Sequence, residues 1–267
     1  MKDEILYKFL DLIQLYDVGL TKTRIGFQFD GGYVLLDELC KNIDVVYSYG
    51  IERDASFDSD FSERYGALIR MYDHTVDGIP FDGPQGASRN INAIFYKNGI
   101  GPVNQPPFLT LENCIHFNKD EGKNLLLKMD VEGAEWESLY TCDEEVLRSF
   151  DMICLEMHEM QRLYDGEVKC IQNLNRVSPL ERHEAQIRYE VMKKLSDNFY
   201  MFHAHANNGF PIQDVGEYKV SPIAEVSFVR KDLVEATPVD WVYTCHDATN
   251  NHNLPEIMLN FWPFVRN

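Results

Sequence analysis

Three carboxylates fall within six residues of the string Leu125-Leu126-Leu127-Lys128-Met129-Asp130-Val131-Glu132-Gly133-Ala134-Glu135, directly after an apolar run. Acids this close repel one another unless they are solvated, hydrogen-bonded or bound to a cation. Glu132 and Glu135 have a simpler role open to them, because acids favour the N-terminus of a following helix. Asp130, at the end of a buried strand, is costly without a partner. Three other polar clusters close apolar runs in the same way: Gly50-Ile51-Glu52, Asp73-His74 and Glu156-Met157-His158. Ligands of open α/β sheets gather at such carboxyl ends of strands.

Asp130, Glu156 and His158 are expected to project from adjacent strand ends, with His205, Asn207 and Asn208 facing them. A metal set of Asp130, Glu156, His158 and Asn207 could hold an oxygen-seeking divalent ion such as Mg²⁺ or Mn²⁺. Such an ion would relieve the repulsion and lower the pKa of a bound hydroxyl. Without metal, His158 could act as a base. His203 alternates with His205, so one of the two faces packing, and His205 adjoins Asn207-Asn208. The expected catalytic residues are therefore His158, Asp130 and His205. Asp73, 23 residues past Gly50, is placed either to accept hydrogen bonds from ribose hydroxyls or to cap a helix. The Gly50 turn has no later glycine before the next helix, so it lacks the G-x-G-x-x-G that a dinucleotide pyrophosphate requires.

The elements that would carry these groups follow from periodicity. Apolar residues at helical spacing predict a helix from Asp3 to Leu15, within an N-terminal segment 1–20 lying on a larger body. Tyr33 to Cys40, Phe57 to Arg64, Leu109 to Phe117, Ala134 to Tyr140 and Arg182 to Leu195 also read as helices. β-Branched and aromatic runs predict strands at 45–49, 67–72, 93–96, 124–129, 152–157, 199–204 and 223–229. Strands alternating with helices imply an α/β fold: a doubly wound, mostly parallel sheet covered on both faces, with the late pair placing an antiparallel strand at one edge. Residues 159–181 lack periodicity and read as a lid or insertion. The tail from Lys231 is irregular, and Phe261-Trp262-Pro263-Phe264 reads as core packing.

With 267 residues, the chain is long enough to bury roughly 70–75% of its surface as a single domain over 1–267. A hydrophobic fraction of 45% fits a globular protein. The net charge of −18, from 25 basic and 43 acidic residues, opposes nucleic acid and anionic lipid as partners. Six scattered cysteines with no C-x-x-C pair resemble neither a zinc site nor a disulfide framework. An acidic start and the lack of a long apolar run point to a cytoplasmic protein without a membrane span. A homo-oligomer is left open.

The string Lys128-Met129-Asp130-Val131-Glu132-Gly133-Ala134-Glu135 resembles the signature of the FkbM-type S-adenosylmethionine-dependent methyltransferases. Other pieces similar to a branch of that family occur in the expected order between residues 24 and 264. They include Arg24 with Asp30-Gly31-Gly32-Tyr33-Val34, Tyr49-Gly50-Ile51-Glu52 with Ser56-Phe57, His203 to Asn208, and Glu225 with Phe228-Val229-Arg230. The strand-one turn departs from the family's common loop in being poorer in glycine. The resemblance implies a class I, Rossmann-like methyltransferase fold with S-adenosylmethionine across the first strands. Carried over by position, Gly50 and Glu52 would lie by the methionine moiety, Asp73 on the ribose, and Gly32-Tyr33 near the sulfonium. Ser56 and Asp130 complete the implied cofactor-binding set. The implied reaction is O-methylation of a sugar or nucleotide-linked sugar. The rival readings are a nucleotide-dependent oxidoreductase and a binding protein that keeps the fold without the chemistry.

Overall fold

The computed structural model describes residues 4–163 and 179–266. In chain order the strands are β1 (Leu15–Asp17), β2 (Lys22–Ile25), β3 (Tyr33–Leu36), β4 (Val45–Tyr49), β5 (Leu68–Tyr72), β6 (Ala93–Tyr96), β7 (Gly99–Ile100) and β8 (Phe108–Leu109). They continue as β9 (Leu125–Met129), β10 (Phe150–Met157), β11 (Phe199–Ala206), β12 (Gln213–Val215), β13 (Tyr218–Val220), β14 (Ala224–Arg230) and β15 (Thr237–Val239). The α-helices are α1 (Glu4–Asp11), α2 (Asp37–Cys40), α3 (Ser56–Tyr65), α4 (Leu111–Asn118), α5 (Ala134–Thr141), α6 (Glu144–Leu147) and α7 (Pro179–Asn198).

Nine strands form one sheet in the order β15-β1-β11-β14-β10-β9-β4-β5-β6. Seven run in one direction, while β14 and β15 run against them. The chain is thus α/β with a large, mostly parallel central sheet, compatible with a Rossmann-like fold. Continuous apolar runs such as Leu125-Leu126-Leu127 build it because both faces are covered, so alternate residues bury in opposite directions. Tyr47, Leu127, Ile153 and Phe228 pack with α1, α4, α5 and α7 on one face. Val46, Leu126, Met152 and Cys154 pack on the other with Tyr33 and Leu35 of β3 and Phe57 and Phe61 of α3.

Three expectations are corrected. Tyr33 to Cys40 is not one helix. Its first half pairs with β2 as an antiparallel ribbon, and only Asp37–Cys40 turns helical. The apolar run Tyr33-Val34-Leu35-Leu36 is buried at all four positions, so it fits an extended segment covered on two sides better than a one-sided helix. The late antiparallel strand is not at an edge: β14 is inserted between β10 and β11, and the antiparallel edge strand is the short β15 against β1. The N-terminal helix ends at Asp11, and Leu15–Asp17 joins the sheet. Of the expected insertion 159–181, residues 164–178 lie outside the described residues; α7 begins at Pro179, upstream of the expected Arg182. Among the described residues, no helix is long and apolar enough to cross a membrane.

Candidate functional site

Strand order reverses between β4 and β9, with β5 and β6 continuing to one side and β10 to the other. A crevice must open at that switch point, because successive connections leave in opposite directions. Here it is a cleft of about 540 Å³ over the carboxyl ends of β4, β5 and β9, extending to Glu156 on β10. Backbone approach is close at its floor. Gly50 has φ +79°, and a Cβ there would lie 1.6 Å from the Asp130 carbonyl oxygen. Gly31 is favoured by its φ of +85°, and a Cβ there would fall 1.9 Å from the Asp54 carboxylate, a side chain that would have to move aside. Glu52, Glu132 and Glu159, just beyond β4, β9 and β10, also hold positive φ, a conformation that non-glycine residues keep only where surroundings enforce it.

The inner wall follows from strand register. On the face covered by the β2–β3 ribbon, Ser48, Lys128, Cys154, Ser227 and His203 form one row across five strands. The next row toward the carboxyl ends contains Glu156, Glu225 and His205, with Asp130 one residue beyond the paired Met129. Apolar side chains occupy the lower rows, so the polar groups emerge only where the strands end. Lys128 Nζ donates to the Gly50 carbonyl oxygen at 2.7 Å, and the Tyr33 hydroxyl donates to Asp130 Oδ2 at 3.2 Å. Glu156 Oε1 accepts from Asn207 Nδ2 at 2.9 Å. Asn250 Nδ2 donates to both Asp30 Oδ1 (2.9 Å) and Glu225 Oε1 (2.6 Å).

His158 sits in the corner between Asp130 and Glu156. Its Nε2 is 3.2 Å from Glu156 Oε2, 3.5 Å from Glu132 Oε2 and 3.9 Å from Asp130 Oδ1. Its Nδ1 faces Glu135 Oε1 at 3.3 Å without a formed hydrogen bond. Burial disfavours the imidazolium, but Glu135 and Glu156 outweigh it and push the His158 pKa up to about 11. Burial raises Glu156 to about 7, with His158 opposing the rise and Asp130 adding to it. Burial also raises the carboxyls of Asp30, Asp54 and Asp58. The wall is therefore rich in acids and short of cations, a setting that favours a positively charged ligand.

The expected site residues divide. Gly50, Glu52, Asp73 and Asp130 line the cleft with Glu156, and Tyr33 reaches its edge through Asp130. Asp73 is not available as a ribose acceptor in this arrangement. Its Oδ2 accepts from the amides of Ile51 (2.9 Å) and Glu52 (2.8 Å), and its Oδ1 from the Thr75 amide (2.7 Å) and hydroxyl (2.6 Å). Gly32 and Ser56 stand off the cleft. A Cβ on Gly32 would meet the Phe27 carbonyl and the Arg24 guanidinium, and Ser56 Oγ accepts from the Phe27 amide at 3.0 Å, so both shape the loop leading to Gly31.

His205 is fully buried behind the wall, 3.2 Å from Glu256 Oε1 and 3.5 Å from Glu225 Oε2. These carboxylates overcome the cost of its burial and hold its pKa up to about 10, so it does not serve as a base on the cleft. Glu135 and Glu156 likewise favour the protonated form of His158, which works against its expected role as base. Asn207 is turned the wrong way for a metal ligand: its oxygen accepts from the Gly209 amide at 2.9 Å, leaving the NH₂ toward Glu156. Asp130, Glu156 and His158 do present ligand atoms within 4.8 Å of one another. Glu225, Lys128 and Asp30 were not assigned roles from sequence. Polar residues alternating inside apolar strands, Glu225 with Ser227 and Lys128 with Asp130, were the available signal; Asn250, in an irregular tail, gave none.

No protein-family model matches the chain, and no curated protein is significantly similar to it.

Proposed function

We propose that this chain is an S-adenosylmethionine-dependent O-methyltransferase acting on a hydroxyl of a small sugar-type acceptor. The observation that carries the reading is the cleft at the strand-order reversal, whose lining holds eight carboxylate side chains against Arg53 and Lys128. A sulfonium and an ammonium group are both positive, so the cofactor's methionine end fits such a wall. The glycine-poor turn after β4 suits a ligand without phosphates. The oxidoreductase alternative is less favoured, since the nicotinamide fold has strand order 3-2-1-4-5-6 whereas here the antiparallel β14 is inserted between β10 and β11.

When bound, the cofactor supplies a methyl group on a positively charged sulfur. Glu52 and the amides beside it would hold the ribose, with Asp73 acting through the turn it clamps. Ile100 and Phe108, at the far end of the cleft, offer apolar surface for the adenine. Asp130, oriented by the Tyr33 hydroxyl, would face the sulfonium. A sugar hydroxyl holds its proton tightly, so transfer requires a nearby acceptor for it. Glu156 lines the cleft and is anchored through its other oxygen by Asn207, which makes it the proton acceptor. The His158 imidazolium keeps Glu156 turned toward Asp130 without taking the proton itself. A neutral acceptor suits this wall better than a nucleotide-linked sugar, whose diphosphate would meet like charge.

The test is thermal unfolding with S-adenosylmethionine and S-adenosylhomocysteine. Ligand at 100 times its Kd should add about 2.7 kcal/mol of stability. No stabilisation by either compound, or stabilisation by NAD instead, would reject the reading. Tight binding without transfer to any hydroxylated acceptor would leave the non-catalytic alternative.

A further inference from the structure

We propose that Asp130, Glu156 and His158 bind one divalent cation through Asp130 Oδ1, Glu156 Oε2 and His158 Nε2, the ion displacing the proton that Nε2 otherwise carries. One ligand atom from each residue lies within 4.8 Å of the others, and His158 Nε2 is 3.2 Å from Glu156 Oε2 and 3.9 Å from Asp130 Oδ1. An ion with bonds of about 2.1 Å places adjacent ligands about 3 Å apart and opposite ones about 4.2 Å apart. The corner therefore needs only small side-chain adjustments to close around an ion.

The histidine is the independent sign of a ligand. It is 4% exposed, its Nδ1 faces Glu135 away from the corner, and its Nε2 points at oxygens of Glu156, Glu132 and Asp130, with Lys128 Nζ and the Tyr33 hydroxyl on the far oxygen of Asp130. Its position is fixed from behind. The His158 amide donates to Glu135 Oε1 at 2.8 Å, and its carbonyl accepts from Trp136 Nε1 at 2.8 Å. Glu135 is itself held by the Gly133 amide at 2.8 Å. A carboxylate behind one ring nitrogen and a metal at the other is the usual outer support of a histidine ligand. Asp130 is the most exposed of the three and opens the remaining coordination positions toward the cleft, where water or a substrate oxygen can reach them.

A second trio, Asp30, Glu156 and Glu225, has comparable spacing but does not carry the same inference. Asn250 already spans it, donating to Asp30 and Glu225. With oxygen donors predominating and one imidazole, the ion at the first trio is of the Mg²⁺ or Mn²⁺ class. The assignment does not rest on methyl transfer. If the chain does transfer methyl groups, the ion would acidify the acceptor hydroxyl and take over that part of the work from Glu156.

The experiment is Mn²⁺ titration of the chelator-treated full chain at pH 7.5, followed by electron paramagnetic resonance. One ion per chain is expected, with nitrogen coupling from one imidazole in the bound spectrum. Asp130→Asn and His158→Gln should each weaken binding at least about tenfold, and His158→Gln should remove the nitrogen coupling. Asp30→Asn should leave affinity unchanged, with folding of every variant checked by circular dichroism. No binding up to millimolar Mn²⁺, a bound spectrum without nitrogen coupling in the unmodified chain, or greater loss in Asp30→Asn would overturn the site. S-adenosylmethionine binding measured on the same samples reports separately on the methyltransferase reading.

Discussion

Asp73 accepts four hydrogen bonds from Ile51, Glu52 and Thr75, so replacing it acts on the cleft through the backbone. Asp73→Asn puts an NH₂ where amides already donate, and bonds to a charged acceptor contribute about 1.5–3 kcal/mol each. Thermal stability and S-adenosylmethionine affinity should therefore fall together; loss of affinity at unchanged melting temperature would restore the direct ribose contact. Glu156→Gln keeps the shape and the Asn207 contact but removes the proposed proton acceptor. If the chain is the proposed methyltransferase, its turnover without metal should drop about 100-fold or more, with S-adenosylmethionine affinity changed less than about threefold by calorimetry. The carboxylates of this corner were legible in sequence because each closes an apolar run. The protonation of His158 was not, since it depends on Glu135, which approaches from the first turn of α5.

At the scale of elements, the ends of β4 and β9 touch through Gly50 and the Asp130 carbonyl. Gly50→Ala must carry a positive φ, which costs about 1–2 kcal/mol, and must also push the two strand ends apart. Its urea midpoint should fall by the equivalent of more than about 2 kcal/mol; a smaller loss would mean that the turn relaxes freely. The strands at 45–49, 68–72, 93–96, 125–129 and 150–157 were legible because their apolar runs are short and closed by turn residues. The β2–β3 ribbon was not. Tyr33 to Leu36 is apolar at every position, a pattern common to buried helix and buried strand, and pairing with Lys22–Ile25 decides between them.

For the whole molecule, buried histidines tie stability to pH. His205 faces Glu225 on β14 and Glu256 on the tail, and lies near His203 on its own strand. Its folded pKa, about 10, exceeds the unfolded value of about 6.5. The stability from its imidazolium is therefore complete below about pH 6.5 and lost progressively as pH rises toward 10. His205→Gln should flatten this part of the stability–pH curve measured by urea unfolding; an unchanged slope would show that His205 is neutral when folded. The net charge of −18 acts at longer range. Raising salt from about 10 to 150 mM shortens the screening length from about 30 to 8 Å, so KM for an anionic acceptor should fall while that for a neutral one stays constant.

The order of apolar runs and turn residues by itself determined an α/β chain with polar groups at strand ends, because side-chain periodicity and strand termination are local properties. Which of those groups meet, and in what charge state, was decided only by the tertiary structure. Inserting β14 between β10 and β11 places Glu225 beside Glu156 and leaves His205 behind the wall rather than on it. Register between strands far apart in sequence sets these neighbours, and burial among those neighbours sets their protons.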